Sequence, residues 1–201
     1  YEHCSKAAFM LKGIVFQTVR EEVRAAARAM DWLKSVAEAI STHNKPISWF
    51  SPIGLLVVQE YKETKTRRLN TTIGTVRIQH HIAQAGDKID GHSQANAIAP
   101  NFVHSCDASH LMMTVNACIT KGLSNFHMIH DSYGTHAANV GLLARTLREQ
   151  FVTMYSGDVL QKFLNELGVF LPAEALEGIE KPPAQGDFDL NQVLNSRYFF
   201  A

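Results

Sequence analysis

Apolar side chains recur at alternating steps of three and four residues between Phe16 and Ile40. This spacing places them along one side of an α-helix, and the charged residues of the stretch fall elsewhere on its circumference. Pro46 follows and ends the helical pattern, because proline cannot continue a helix. The sequence therefore predicts one long amphipathic helix that must pack its apolar side against other elements. That side consists of Phe16, Val19, Val23, Ala26, Met30, Leu33, Ala37 and Ile40.

The next segment predicts β structure. Ile47 to Val58 is an apolar stretch interrupted by Ser51-Pro52 and Gly54, which is typical of short strands around a turn. From Tyr61 to His81 the chain is rich in threonine and β-branched residues, with Gly74 near the middle. We therefore expect a two-stranded β-ribbon there.

The predicted ribbon is the one strongly basic part of the chain. The whole sequence carries 19 basic and 19 acidic residues, so its net charge favours neither nucleic acid nor a membrane. Within the ribbon, Arg68, Asn70, Arg77 and Gln79 are the residue types that make bidentate contacts with guanine and adenine edges, and a two-stranded ribbon fits the major groove of DNA. The residue pattern alone leaves a DNA-reading ribbon and a merely solvated hairpin as alternatives.

The second half of the chain predicts mainly helices. A loop-rich stretch of glycines and small polar residues separates them from the ribbon, and an acidic, proline-containing stretch near the end is expected on the surface. The apolar C-terminus is expected to dock into a core. The predicted loop spans 83–99, the helices span 109–121, 140–154 and 158–167, the acidic surface run spans 158–189, and the docked terminus spans Tyr198 to Ala201.

Length and composition predict a globular chain. Of its 201 residues 46% are hydrophobic, which is enough to bury a sizeable core. The cysteines, Cys4, Cys106 and Cys118, lack CxxC spacing. This argues against a disulfide framework and a thiolate zinc site and favours a reducing compartment. No apolar run is long enough for a membrane helix, and we find no signal-peptide pattern.

The stretch FHMIHDSYGTHAA, residues 126–138, is the strongest candidate for chemistry. A predicted strand leads into His130-Asp131-Ser132 and then a Tyr-Gly pair. An aspartate at a strand end either caps a turn or presents a hard oxygen ligand to a divalent cation, and the residues alone leave both roles open. On a strand His130 and Asp131 would point to opposite faces, and the chain has no GxSxG motif, so a Ser-His-Asp hydrolase is disfavoured.

Other histidines and cysteines give weaker hypotheses. His104 and Cys106 are two residues apart, which on a strand would place both on one face and suggests a cysteine nucleophile. A buried thiol near a hydrogen-bonded histidine is the alternative. His80, His81 and His92 are candidate loop ligands for a metal, but no pair has the helical spacing with an intervening acid that is typical of a zinc site.

Several segments, taken in order, resemble the C-terminal part of the bacteriophage-type single-subunit DNA-dependent RNA polymerases, a family that includes the mitochondrial enzymes. They span nearly the whole chain, and the pair NFVHS and HDSYGTH is specific for the family. The matching segments are AMDWLKS (29–35), QEYK (59–62), RRLN (67–70) with GTVRIQ (74–79), IAPNFVHSCDASHL (98–111), HDSYGTHAA (130–138), LREQFV (147–152), GDFDL (186–190) and the terminal YFFA (198–201).

The resemblance implies a mixed α/β, helix-rich fold: part of the fingers and palm of a right-hand polymerase, with a β-ribbon specificity loop. Asp131 corresponds to one of two carboxylates that hold two catalytic Mg²⁺ ions, and His130 and Ser132 are its neighbours in the motif. His104 corresponds to a histidine near the minor-groove side of the newly formed base pair. The ribbon corresponds to the promoter specificity loop, whose base-reading positions match Arg68, Asn70, Arg77 and Gln79.

The resemblance also implies a domain organisation. Residues 1–60 correspond to a fingers-side helix and short strands, and residues 61–97 to the specificity ribbon and a following loop. Residues 98–155 correspond to a palm segment with the HDSYG hairpin and its flanking helices. Residues 156–201 correspond to a helical and acidic C-terminal region that ends in an apolar foot.

The implied reaction is template-directed nucleotidyl transfer from NTPs to the RNA 3′ end by a monomeric polymerase. Its partners are promoter DNA, the template strand, nascent RNA and NTPs, with no membrane. In the family the first catalytic Asp and the Lys and Tyr that grip the nucleotide lie upstream of the position of Tyr1, so we expect the isolated chain to be inactive. A non-catalytic DNA-binding remnant or module is the alternative. The expected location is the host cytoplasm of a virus, with a mitochondrion as the alternative.

Overall fold

The computed structural model describes residues 2–129 and 132–199. As predicted, the fold is mixed α/β with more helix than strand. The strands form three separate antiparallel two-stranded hairpins, β1-β2, β3-β4 and β5-β6. The helices are α1 (Glu2–Glu22), α2 (Arg24–Thr42), α3 (Gly91–Thr120), α4 (Val140–Tyr155), α5 (Val159–Phe170) and α6 (Ala173–Leu176), with 3₁₀ turns at Ala137–Asn139 and Leu190–Asn195. The strands are β1 (Ile47–Phe50), β2 (Leu56–Gln59), β3 (Lys62–Ile73), β4 (Val76–Ile89), β5 (His127–Ile129) and β6 (Ser132–Gly134).

The single helix predicted over 16–40 is two helices. Val23 separates α1 from α2 because its backbone, at φ −109° and ψ 54°, leaves the helical region. The predicted apolar side is correct for the second half of α2, where Leu33, Ala37 and Ile40 are buried, but not for its first half, where Met30 is 56% exposed. It is wrong as a packed face for α1, where Phe16 remains 62% exposed.

The main core joins α2, β1, α3, α5 and α6. At its centre Phe163 of α5 is 1% exposed and meets Trp32, Trp49 and Phe102 with ring centroids 6.1, 5.8 and 5.1 Å away. These are edge-on contacts, the geometry that aromatic quadrupoles favour. The two indole N–H groups are satisfied as well, since Trp49 donates to Ser105 Oγ at 3.1 Å and Trp32 to a backbone carbonyl at 2.9 Å.

The first hairpin, β1-β2, confirms the strands predicted over 47–58. A buried pair of glutamines attaches this hairpin to α3. The side chain of Gln59 donates to the backbone oxygen of Gln94, and the side chain of Gln94 donates to the backbone oxygen of Gln59, both at 2.9 Å. Because both side chains are almost fully buried, these bonds satisfy polar groups that would otherwise be costly to desolvate. The base of the neighbouring ribbon is thereby tied to α3.

The predicted ribbon is confirmed and is longer than expected. Gly74 takes a positive φ of 62° in the turn between β3 and β4, a conformation that favours glycine. The predicted loop 83–99 is wrong, because β4 continues to Ile89 and α3 begins at Gly91. Asp90 makes this direct junction possible by capping α3: its carboxylate accepts from the N–H of Ser93 at 3.1 Å and from the Ser93 hydroxyl at 2.6 Å.

Helix α3 continues through Pro100, where the sequence pattern suggested irregular structure. A proline inside a helix costs about 3 kcal/mol. Ile98, Ala99 and Phe102 lie beside it and are buried in the main core, and their burial offsets that cost. The predicted helix 109–121 is therefore the second half of α3, and the predicted glycine stop is confirmed by Gly122 with φ 91°.

The C-terminal region is more buried than predicted. Helices α4 and α5 confirm the two predicted helices, but the acidic stretch after α4 buries Phe163, Leu167 and Leu171, so it is not purely a surface run. At the C-terminus Phe199 packs on Phe151 at 4.7 Å, whereas Tyr198 is 79% exposed. The remaining residues of the predicted foot, Phe200 and Ala201, lie outside the described residues. Within the described part of the chain, no helix has the length and apolar character needed to cross a membrane.

Candidate catalytic hairpin and nucleic-acid ribbon

The HDSYG motif lies at the short hairpin β5-β6. Met128 pairs with Tyr133, and Ile129 pairs with Ser132. His130 and Asp131 connect these two strands in the sequence and lie outside the described residues. The structure therefore positions the residues on both sides of the motif aspartate, and the role of Asp131 stays a prediction.

A small second core lies between α3, α4 and the hairpin. Cys118, Leu123 and Leu143 are its buried members, and Met128 and Tyr133 of the hairpin pack against them. Two-stranded hairpins are marginally stable by themselves in water. The position of β5-β6 thus depends on these side-chain contacts with the helices.

His110 connects the hairpin to both helices. Its side chain is 5% exposed. Its Nε2 lies 2.9 Å from the backbone oxygen of Leu147 in α4, and its Nδ1 lies 3.3 Å from the hydroxyl of Tyr133 in β6. The ring of Phe151 meets the imidazole edge-on at 5.7 Å.

The hydrogen-bond partners of His110 determine which of its ring nitrogens carries the proton. A carbonyl oxygen only accepts, so Nε2 carries the proton and donates to Leu147, and Nδ1 of the neutral ring accepts from the hydroxyl of Tyr133. Burial lowers the pKa of His110 and so favours the neutral ring, although the bond to Leu147 acts in the opposite direction. The sequence analysis did not select His110. It lies four residues from both Cys106 and Thr114, which are buried, and this helical spacing could have indicated a buried polar side chain.

The other predicted neighbours of the motif are more exposed. Ser132 begins β6 and is exposed. His104 is exposed on α3, and between it and His110 the helix rises about 9 Å and turns to a different face. In the described structure His104 and His110 are therefore distinct sites on one helix, and His110 is the one that meets the hairpin.

The hypothesis that His104 and Cys106 share one face of a strand is wrong, because both lie on a helix. Two residues along a helix correspond to roughly 200° of rotation, so His104 faces outward while Cys106 is 2% exposed. Burial raises the pKa of the Cys106 thiol to about 11, and the adjacent Asp107 carboxylate acts in the same direction. The thiol is therefore protonated at neutral pH, the opposite of an activated nucleophile.

The described donors around the hairpin do not form a magnesium site by themselves. Ser132 and Tyr133 offer hydroxyl groups there, and His110 and His127 offer imidazoles, whereas Mg²⁺ prefers carboxylate oxygens and water. Among residues 2–129 and 132–199, no three His, Cys, Asp or Glu side chains are grouped closely enough to hold a metal ion. The predicted loop ligands His80 and His81 instead lie in strand β4, and His92 lies in α3.

The ribbon brings its four predicted base-reading residues onto one face. Asn70 pairs directly with Gln79, and the Gln79 amide donates to the Asn70 side-chain oxygen at 3.3 Å. Arg68 lies two residues before Asn70, and Arg77 lies two residues before Gln79. Because paired residues share a face and side chains alternate along a strand, all four point the same way. His81 and Thr72 complete this face as the partners of Arg68 and Arg77.

The opposite face of the ribbon has a different character. Arg67 pairs with Ile82, Leu69 with His80, and Ile73 with Val76. The large apolar side chains on this face remain exposed, with Ile73 at 64% and Val76 at 60%. The ribbon therefore has one polar, basic face and one mainly apolar face.

Comparison with known proteins assigns the family. Residues 1–177 match the family model described as DNA-dependent RNA polymerase. The match covers both the ribbon and the HDSYG hairpin. The chain belongs to the phage-type single-subunit DNA-dependent RNA polymerases, which confirms the resemblance seen in the sequence.

Named relatives support this assignment. The chain is 39% identical over 187 residues to the chloroplastic DNA-directed RNA polymerase 3 of Nicotiana sylvestris, with 93% of this chain and 18% of the relative covered. It is 39% identical over 180 residues to the mitochondrial DNA-directed RNA polymerase 1 of the same species, covering 90% and 17%. It is 38% identical over 194 residues to DNA-directed RNA polymerase 2A of Nicotiana tabacum, covering 96% and 56%. The chain thus spans only part of each relative.

Proposed function

We propose that this chain is the C-terminal part of a polymerase that transfers nucleotides from NTPs to the 3′ end of RNA under the direction of a DNA template. The observation that carries the proposal is the family match over residues 1–177, which includes the HDSYG hairpin and the ribbon together. The relatives are named DNA-directed RNA polymerases, and their names supply the reaction class.

Asp131 is the proposed catalytic residue of this segment. Asp131 lies between β5 and β6 in the sequence, and a carboxylate is a suitable ligand for a hard divalent cation. Magnesium bound there would supply charge stabilisation for phosphoryl transfer and lower the pKa of the attacking hydroxyl. Because no three His, Cys, Asp or Glu side chains are grouped to hold a metal ion among residues 2–129 and 132–199, we propose that the second ligand of the two-ion site comes from another part of the polymerase.

The proposal is tested by Asp131→Asn in the full-length polymerase that carries this segment. Asparagine keeps the size of the side chain but removes the charge that binds the metal. We expect no detectable RNA synthesis, while the dissociation constant for promoter DNA stays within about twofold of the wild-type value, because no DNA contact is altered. Run-off transcription measures the first quantity and fluorescence anisotropy the second.

Asp187→Asn is the matched control, since Asp187 is exposed and lies in the segment before the last 3₁₀ turn. It should leave both synthesis and DNA binding unchanged. Near-normal synthesis by the Asp131→Asn enzyme would contradict the catalytic role of Asp131.

Promoter recognition is assigned to the polar face of the ribbon. Arg68, Asn70, Arg77 and Gln79 project from one side of an exposed, two-stranded element, as an insertion into a major groove requires. The partners of the whole polymerase are then promoter DNA, the template strand, nascent RNA and NTPs. We further propose that it acts as a monomer.

The same ribbon favours a second candidate, a non-catalytic DNA-binding module. Its reading face is complete without any residue of the HDSYG hairpin. The Asp131→Asn experiment separates the two candidates, because a purely DNA-binding protein would make no RNA even as the wild type.

We propose the domain organisation and the location by analogy with the family. Residues 1–60 would form the fingers side, 61–97 the ribbon and the start of α3, 98–155 the palm segment, and 156–201 the C-terminal region with its foot. The chloroplastic and mitochondrial names of the relatives support an organellar location over the expected viral one.

A further inference from the structure

The short hairpin β5-β6, which flanks the proposed catalytic aspartate, makes few backbone contacts that could hold it in position. Each of its strands has three residues, and within the described part of the chain the two strands pair only with each other. Its backbone ladder therefore fixes the strands to one another but not to the rest of the molecule. Side chains must set its orientation relative to α3 and α4.

Tyr133 is well placed to do this. It lies in β6, two residues after Asp131 in the sequence, and its ring packs against the second core. Its hydroxyl is 3.3 Å from Nδ1 of His110, and the opposite nitrogen of that imidazole is 2.9 Å from the backbone oxygen of Leu147. One ring thus joins α3, α4 and β6.

This connection is directional as well as close. Non-directional apolar packing allows a short hairpin to slide or tilt by a fraction of an ångström at little cost, whereas a hydrogen bond weakens steeply as its angle departs from linearity. The imidazole is itself held by Phe151, edge-on at 5.7 Å, and by the rigid backbone of α4. The hydroxyl of Tyr133 therefore meets a fixed acceptor.

We infer that His110 is a positioning residue of the polymerase, which acts through the hydroxyl of Tyr133 to fix the hairpin and so the place where Asp131 is presented. The inference rests on the proposed catalytic role of Asp131. It concerns the geometry of the reaction and not substrate binding. A displacement of about 1 Å in a reacting group costs up to a hundredfold in rate, so a modest loosening has a measurable effect.

Three variants of the full-length polymerase test the inference: Tyr133→Phe, His110→Phe and the double variant. The first removes one oxygen atom, and the second keeps an aromatic ring against Phe151 but removes both nitrogens. We expect each single variant to lower kcat about tenfold, with KM for NTPs and promoter affinity within about twofold of the wild type. The double variant should be no slower than His110→Phe, because both changes remove the same bond.

His92→Phe is the matched control, since His92 is an exposed histidine near the start of the same helix. It should leave kcat unchanged. Kinetic constants are compared only for variants whose thermal unfolding midpoint shows a folded enzyme, and Tyr133→Phe decides alone if His110→Phe does not fold.

A kcat within about twofold of the wild type for folded Tyr133→Phe would overturn the inference, as would effects that multiply in the double variant. A parallel rise in KM or loss of promoter binding would also overturn it, because that pattern belongs to substrate binding. Asp131→Asn in the same assays separates this failure from that of the proposed function. If that variant still makes RNA, the catalytic assignment fails; if it is inactive while the His110 and Tyr133 variants are normal, only the positioning role fails.

Discussion

Cys106 shows at the scale of one residue how burial decides between two hypotheses that the sequence leaves open. Its thiol is enclosed by the main core, and the pKa of about 11 leaves almost no thiolate at neutral pH. A nucleophilic cysteine needs the opposite environment, with a nearby positive charge and access for a substrate. The buried-thiol alternative is therefore correct as to the thiol, whereas the neighbouring His104 is exposed.

This environment predicts selective labelling of the cysteines. At pH 8 an alkylating thiol reagent should modify Cys4, which is exposed on α1, while Cys106 stays unmodified until the chain unfolds. The reason is that the raised pKa keeps the Cys106 thiol protonated until the pH approaches 11, and burial blocks access. Mass spectrometry of proteolytic peptides after timed labelling measures both rates.

Cys118, which is also buried and has a raised pKa, serves as the internal control and should resemble Cys106. Labelling of Cys106 at the rate of Cys4 in the folded chain would contradict this account and revive the nucleophile hypothesis.

Residue identity predicted only part of the candidate site. The sequence motif makes Asp131 and Ser132 candidates, because family motifs are local in the chain, and their roles stay predictions. His110 could not be found in the same way, because its role depends on contacts with Leu147 and Tyr133, which are distant in sequence. Spacing rules find neighbours along a chain, whereas these partners are neighbours only after α3, α4 and the hairpin have packed.

At the scale of elements, periodicity predicted the interiors of helices and strands better than their ends. The ribbon, α4 and α5 have clear patterns and were found. The junction of β4 with α3 was missed because Gly91 and Pro100 suggested a loop, while the cap at Asp90 and the burial of Ile98 and Phe102 favoured a helix. Tertiary packing thus overrode local propensity at this junction.

The two faces of the ribbon give a matched pair of substitutions for promoter recognition. Arg68 and Arg67 are adjacent, but Arg68 lies on the polar face opposite His81 and Arg67 on the other face opposite Ile82. In the full-length polymerase Arg68→Ala should lower the preference for promoter over scrambled duplex by about 1–3 kcal/mol, the usual value of one bidentate base contact. Fluorescence anisotropy with both duplexes at several salt concentrations measures that preference.

Arg67→Ala is the control with the same loss of charge. It should weaken binding to both duplexes equally and leave the preference unchanged. The slope of the logarithm of the binding constant against the logarithm of the salt concentration should fall in magnitude by about one. Equal losses of preference in the two variants would contradict the assignment of the polar face as the reading face.

At the scale of the whole molecule, the chain exposes far more surface than a compact protein of its mass. Its accessible area is 14039 Å² for 22.4 kDa, whereas a compact monomer of that mass has roughly 9,400 Å². Much of the excess comes from α1, where Phe9 is 77% and Met10 71% exposed, and from the apolar face of the ribbon. Surfaces of this kind are usually buried against other polypeptide or a ligand.

The exposed area and the proposed placement of the second metal-binding carboxylate outside this chain together predict that the isolated 201-residue chain does not polymerise. With promoter template, NTPs and Mg²⁺, the purified chain should give no promoter-dependent RNA, because one proposed carboxylate does not hold the two ions of a nucleotidyl-transfer site. Run-off transcription at the same molar concentration as the full-length polymerase measures this. Far-UV circular dichroism provides the necessary control, since only a helix-rich, folded chain makes inactivity informative. Promoter-dependent RNA from the chain alone would show that residues 1–201 contain a complete metal site, and the assignment of its second carboxylate to another part of the polymerase would then be wrong.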